Sequence, residues 1–248
     1  MQKYHKIVSI FLSIAFLIVL QEFSVPRPIF RFLVPAILLF LGVLTLYNRW
    51  YLKTIGSYNP WVLLRPVLFY SSAFSLFLIV VNDFLRGVFL LSIVLLGSLF
   101  ENFVGNFAEN IMLNETLIIA FGVFMSVSAY AQVYAPAFQT LYLVFIFIAT
   151  FLATRALYEF IPEPNSSKVV AAVVIAFFMT EVFWAMTFLP FHYSASALML
   201  FNVYYFCLIL NYYYSFNTLN IRKFQFHLVL MSVCSGFIFL LTPWKILG

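Results

Sequence analysis

Long apolar runs alternate with short polar punctuation along the whole chain, roughly at 4–22, 30–48, 61–82, 85–103, 116–135, 137–158, 169–190, 194–216 and 224–242. A helix rises about 1.5 Å per residue, so about 20 apolar residues cross a hydrocarbon layer. The pattern predicts an all-α, polytopic integral membrane helix bundle of about nine transmembrane helices, forming one transmembrane domain over residues 1–248.

The breaks between runs carry turn chemistry. Pro26 and Pro28 follow the first run, Pro136 separates the fifth from the sixth, and Pro162 and Pro164 interrupt 159–168. Asn48–Pro60 reads as a polar connector holding Arg49, Trp50, Tyr51 and Lys53. In the tight link NDFLRG, Asp83 and Arg86 are spaced i,i+3 and can pair; Arg155 and Glu159 are spaced i,i+4. Lys3 and Lys6 before Ile7–Leu20 resemble the start of a signal peptide. The following QEFSVPRP offers no small-x-small cleavage site, so the reading is a retained first span. Gly122, Ser126, Ser128, Ala129 and Ala131 allow close helix approach and put the fifth span inside the bundle.

Composition sharpens this picture. Of 248 residues, 65% are hydrophobic and 8% charged, with a mean hydropathy of +1.06. Soluble domains average about 25% charged residues. No connector approaches the about 50 residues of a small domain, which leaves no soluble catalytic domain. The net charge of +5 is spread singly or in pairs, which argues against nucleic acid as a partner and for topology determinants and lipid-headgroup anchors. Lys3, Lys6, Arg49, Lys53, Arg155, Lys168, Arg222 and Lys223 fall on one side; Arg27, Arg31, Arg86 and Lys245 fall on the other. The excess predicts a cytoplasmic N-terminus and an external C-terminus. Tyr47, Trp50, Tyr58, Trp61, Tyr158, Tyr193 and Trp244 fall where aromatic belts are expected.

Candidate chemistry centres on Glu181 in VVAAVVIAFFMTEVFWAMTFLP. An acid inside a span costs roughly 2.5–3.5 kcal/mol on insertion scales, so it needs a partner or a purpose. Its helical neighbours are Phe177, Trp184, Ala185 and Phe188, an apolar and aromatic wall. Asn202, Ser235 and Ser128 fall at comparable depth, as do Ser126 and Ser232, and the expectation is one polar cluster around Glu181. Two readings stand: a proton-linked or cation-binding site, or a structural acid tying helices together.

Other residues point less far. Cys207 and Cys234 lie inside apolar runs with no C-x-x-C or Cys/His cluster, and read as inert thiols. His192 and His227 fall on opposite faces and cannot share a metal, and there is no H-E-x-x-H. Glu101, Glu109 and Glu115 share the segment 101–115 without a compact acidic pattern and read as a solvated loop. Ser235-Gly236 could suggest an intramembrane serine nucleophile, but the preceding Ser232-Val233-Cys234 lacks the glycine such a site favours, and His227 lies two turns away on the same helix, badly placed as its base. Neither a resident metal nor a cofactor is expected.

The segments EVFWAMTFLP (181–190), NVYYF (202–206) and LTPW (241–244) resemble a family of uncharacterised multi-spanning membrane proteins of bacterial candidate phyla. The resemblance covers about 80 residues. It implies a bacterial cytoplasmic membrane and assigns no activity or catalytic residue. Three functions are therefore expected in order. The first is a non-enzymatic membrane subunit or scaffold binding membrane lipids, membrane proteins or a second copy. The second is a small transporter or channel using Glu181. The third is a lipid-modifying enzyme working through Glu101, Glu109 or Arg155.

Overall fold

A computed structural model describes residues 2–24, 30–56, 58–80, 82–102, 109–134, 139–159, 161, 164–189 and 191–242. Pro26, Arg27, Pro28, Pro136, Pro162, Pro190 and 243–245 lie outside the described residues, as do the side chains of Lys3, Asp83 and Glu109. Among the described residues every regular element is helical. In order they are α1 (Gln2–Ser24), α2 (Phe30–Thr54), α3 (Pro60–Ile79), α4 (Asp83–Asn102), α5 (Glu109–Ala129), α6 (Gln139–Tyr158), α7 (Asn165–Thr187), α8 (Tyr193–Ser215) and α9 (Ile221–Leu241). A π-helical turn, Tyr130–Tyr134, continues α5. Nine of these helices are long and apolar enough to cross a membrane, the architecture of a multi-pass membrane protein.

Several helices extend past their apolar runs. α2 continues through Asn48 to Thr54, and α5 begins at Glu109 rather than 116. Nothing in Asn48–Thr54 or Glu109–Glu115 breaks a helix, and a continuing helix satisfies its own backbone. Polar residues close the ends. Asn59 accepts from the Trp61 N–H, with Pro60 at the first helical position of α3. Asn220 caps α9 by accepting from the Lys223 N–H at 2.9 Å.

The chain divides into two compact units, Met1–Glu115 and Thr116–Gly248, with the boundary inside α5. In the first unit, α1 packs against α2, α3 and α4. Phe16, Phe40 and Tyr70 form an aromatic triangle with centroids 4.8–5.1 Å apart, and Phe69 stacks on Phe100 at 4.2 Å. α4 approaches this triangle through Gly97. A Cβ there would stand 2.7 Å from the Tyr70 hydroxyl oxygen and 2.9 Å from Ser13 Oγ.

In the second unit, α6 and α7 make the most extensive pairing. Buried Ala149, Ala153 and Ala156 on α6 and Ala172 and Ala176 on α7 let helices pack closely. Tyr204 of α8 is fully buried; it meets Phe124 of α5 edge-on at 5.5 Å and shares a 3.0 Å hydrogen bond with Thr154 of α6. α5 is the most buried of the nine spans and α9 the least. The small-residue stretch of α5 is thus interior, with Ser126, Ser128, Ala129 and Ala131 all buried.

The tight passage at Gly97 gives a direct test. Gly97→Ala should destabilise the protein by about 1–3 kcal/mol, the usual cost of overpacking, read as a lower thermal midpoint in detergent. Gly42→Ala, with open space around it, is the control. Adding Tyr70→Phe should recover part of the loss. Equal stability of the two alanine variants would rule the close approach out.

Candidate functional site

Glu181 occupies the outward face of α7. The inward face is Ala172, Ile175, Ala176, Met179, Phe183 and Met186, all buried. Glu181 is exposed, as are Phe177, Trp184, Ala185 and Phe188, so the aromatic wall is outer surface and not a pocket lining. Among the described residues Glu181 makes no hydrogen bond or ion pair. α7 starts at Asn165 and ends at Thr187, so Glu181 stands about 9 Å from the end next to α8, closer than the apolar run suggests.

The predicted polar cluster divides. Asn202 of α8 is buried and donates through Nδ2 to Ser235 Oγ and to the Met231 carbonyl of α9, both at 2.8 Å. Ser128 is fully buried on α5, and its hydroxyl has no partner among the described residues. Ser126 and Ser232 return their hydroxyls to Gly122 and Leu228 carbonyls in their own helices. Asn202 and Ser235 therefore meet, while Glu181 and Ser128 join neither them nor each other.

At the other end of this unit, Arg155 donates to Glu159 Oε2 at 2.5 Å and to Asn165 Oδ1 at 3.2 Å. This realises the i,i+4 pair expected from spacing. Lys168 donates to the Glu159 carbonyl at 3.1 Å. An open groove of about 620 Å³ runs between α7 and α8, with Ser166, Ser167 and Asn211 among its polar residues and Val170, Ala171 and Val174 among its apolar ones. His192 caps α8, and His227 is held by Tyr205, with ring nitrogen and hydroxyl 3.2 Å apart.

The first unit contains a buried polar network that the apolar pattern does not advertise. His5, Asn48 and Glu101 are all buried, Asn48 and Glu101 completely. His5 lies flat on Tyr51, centroids 3.6 Å apart and planes 8° from parallel. Its Nε2 is 2.8 Å from the Glu101 carbonyl oxygen and its Nδ1 is 2.9 Å from the Tyr47 hydroxyl. A carbonyl only accepts, so Nε2 carries the hydrogen; in the neutral ring Nδ1 accepts from Tyr47. Asn48 Nδ2 donates to Glu101 Oε2 at 2.9 Å. Ser9 and Ser13 donate to the carbonyls one turn before them, and Ser13 also meets the Tyr70 hydroxyl at 2.9 Å.

Arg65 and Glu115 form a second buried feature of this unit. Both lie inside apolar spans, are buried, and make an ion pair with each other. The reading of 101–115 as a solvated loop is therefore corrected: Glu101 and Glu115 are buried helical residues. Burying an unpaired charge is expensive, and each has a tertiary partner that sequence spacing cannot show. Among the described residues, no group of three or more His, Cys, Asp or Glu is placed to hold a metal ion.

The missed residues did leave a signal. His5, Ser9 and Ser13 repeat at i,i+4, a polar stripe on one face of the first apolar run; Tyr47 and Tyr51 repeat likewise, as do Gly97 and Glu101. Arg65 is a cation inside an apolar run, by itself a reason to look for a partner. No protein-family model, curated protein or solved structure matches the chain.

Two substitutions probe these contacts. Removing either member of the pair (Arg65→Leu or Glu115→Leu) should cost about 3–5 kcal/mol, and the double variant less than either. The check is a double-mutant cycle by unfolding in mixed micelles. Asn202→Leu should cost about 0.6 kcal/mol, the average for an interhelical bond in a membrane, and should raise labelling of a cysteine placed at Ser235. Unchanged labelling would mean that this amide does not hold α9.

Proposed function

We propose that the protein is a non-enzymatic membrane subunit that docks another membrane protein through the outward face of α7. The observation that carries this reading is a carboxyl group with no partner among the described residues, on an exposed, aromatic surface inside an apolar span. Lipid offers such a group no hydrogen bond, and the cost falls if a neighbouring helix supplies a donor. Charge complementarity specifies the occupant: a helix of a different protein carrying Arg, Lys or another strong donor at matching depth. A second copy fits less well. Of the basic side chains described as exposed, Lys6, Arg49, Lys53 and Arg222 fall on the side opposite Glu181 in the expected topology, and Arg31 stands only one residue into α2.

Phe177, Trp184 and Phe188 around Glu181 supply the broad aromatic contact on which interfaces rest. The groove between α7 and α8 combines hydroxyl and amide groups with an apolar wall, a combination suited to a lipid's headgroup and chain. The distribution of Lys and Arg supports a cytoplasmic N-terminus, and the resemblance of the C-terminal third supports a bacterial cytoplasmic membrane.

A photo-crosslinking amino acid at Phe177 should give an adduct with one other membrane protein in intact cells. Glu181→Leu should abolish the adduct, Glu181→Gln should weaken it, and a crosslinker at Phe237 on α9 should not give it. Capture of lipid alone, of a second copy, or of another part of the same chain at position 177 overturns the reading.

A further inference from the structure

Glu101 and Asn48 pose a problem of hydrogen-bond arithmetic. Both are completely buried, on α4 and α2 of the first unit. Asn48 Nδ2 donates to Glu101 Oε2, but Glu101 Oε1 and Asn48 Oδ1 are both left without a partner among the described residues. Each is an acceptor, and an ionised carboxylate has nothing to donate.

The surrounding groups do not supply the missing charge. From α1 the side of His5 that faces α4 is committed to the Glu101 backbone carbonyl. From α2 come Tyr47 and Tyr51; from α3 comes Tyr70, whose hydroxyl is shared with Ser13. Among the described side chains the cations of these helices are placed elsewhere. Lys6 is exposed, Arg49 and Lys53 lie against the Tyr58 ring, and Arg65 is paired with Glu115. Arg31 lies over Phe32, and Arg86 donates to the Val80 carbonyl.

We propose that this site binds a proton: Glu101 carries a hydrogen on Oε1 and donates it to Asn48 Oδ1. One hydrogen completes both acceptors and closes an eight-membered acid–amide ring with the Nδ2–H to Oε2 bond already present. No other ligand is so small, and the site is sealed from solvent. Loss of the proton sets two lone pairs against each other and leaves a bare charge beside the α1–α4 contact. The carboxyl is therefore a proton-dependent link between α2 and α4. It is independent of docking at Glu181, which belongs to the other unit.

Infrared difference spectroscopy of the full-length protein in lipid vesicles tests the assignment. At neutral pH the spectrum should contain a protonated-carboxyl C=O band that Glu101→Gln removes and Glu181→Gln leaves in place. Asn48→Leu should move that band to higher frequency, because the acid loses its acceptor. The glutamine variant mimics the acid and should fold with an unchanged thermal midpoint. Three results overturn the proposal: no protonated-acid band assigned to Glu101; a Glu101 carboxylate band that shifts when sodium or potassium replaces choline, which would make the ligand a metal cation; or a glutamine variant that does not fold, which would show that the charge itself is required.

Discussion

Hydrocarbon gives a polar atom nothing to bond with, so each such atom within a span is answered by the protein or left to whatever lies beside it. The two units meet this constraint differently. The first turns its polar side chains inward at the end that carries the start of α1, where His5, Asn48, Arg65, Glu101 and Glu115 are all buried. The second keeps Asn202 inside and leaves Glu181 on its surface. The first arrangement ties its own helices together, and the second leaves the surface on which docking is proposed.

Polarity also sets how closely the helices of the first unit approach. Ser13 returns its hydroxyl to its own helix and still reaches Tyr70, and this pair lies where α4 has no side chain at Gly97. Four residues later the same helix delivers Glu101 to Asn48. A glycine and an acid one turn apart thus bring α4 against three other helices. Packing and hydrogen bonding are here one device, since the carboxyl reaches its amide only because the backbone comes close.

The fold class was legible because long apolar runs leave few alternatives: all nine runs correspond, among the described residues, to helices long and apolar enough to cross a membrane. Helix ends were less legible. Asn48, Arg49, Trp50 and Tyr51 look like a connector by polarity, yet Asn48 and Tyr51 are buried against His5 and Glu101 from other helices. The acidic stretch misled for the same reason, because its partners, Asn48 and Arg65, are remote in sequence. Glu181 was found easily as a charge among apolar letters. Its outward orientation was not, because α7 is apolar on both faces, and only the neighbouring helices decide which face is covered.

α9 shows what weak enclosure means for a lineage over time. Along its length His227 alone is buried, and the grip on it includes one amide reaching the Met231 carbonyl and Ser235. Its outward positions ask only for greasiness, so leucine, valine and phenylalanine there are interchangeable currency for mutation. Its specific contacts are concentrated where α8 touches it and where Phe239 meets Phe191 edge-on. Exchanges among apolar residues at its exposed positions leave these contacts in place.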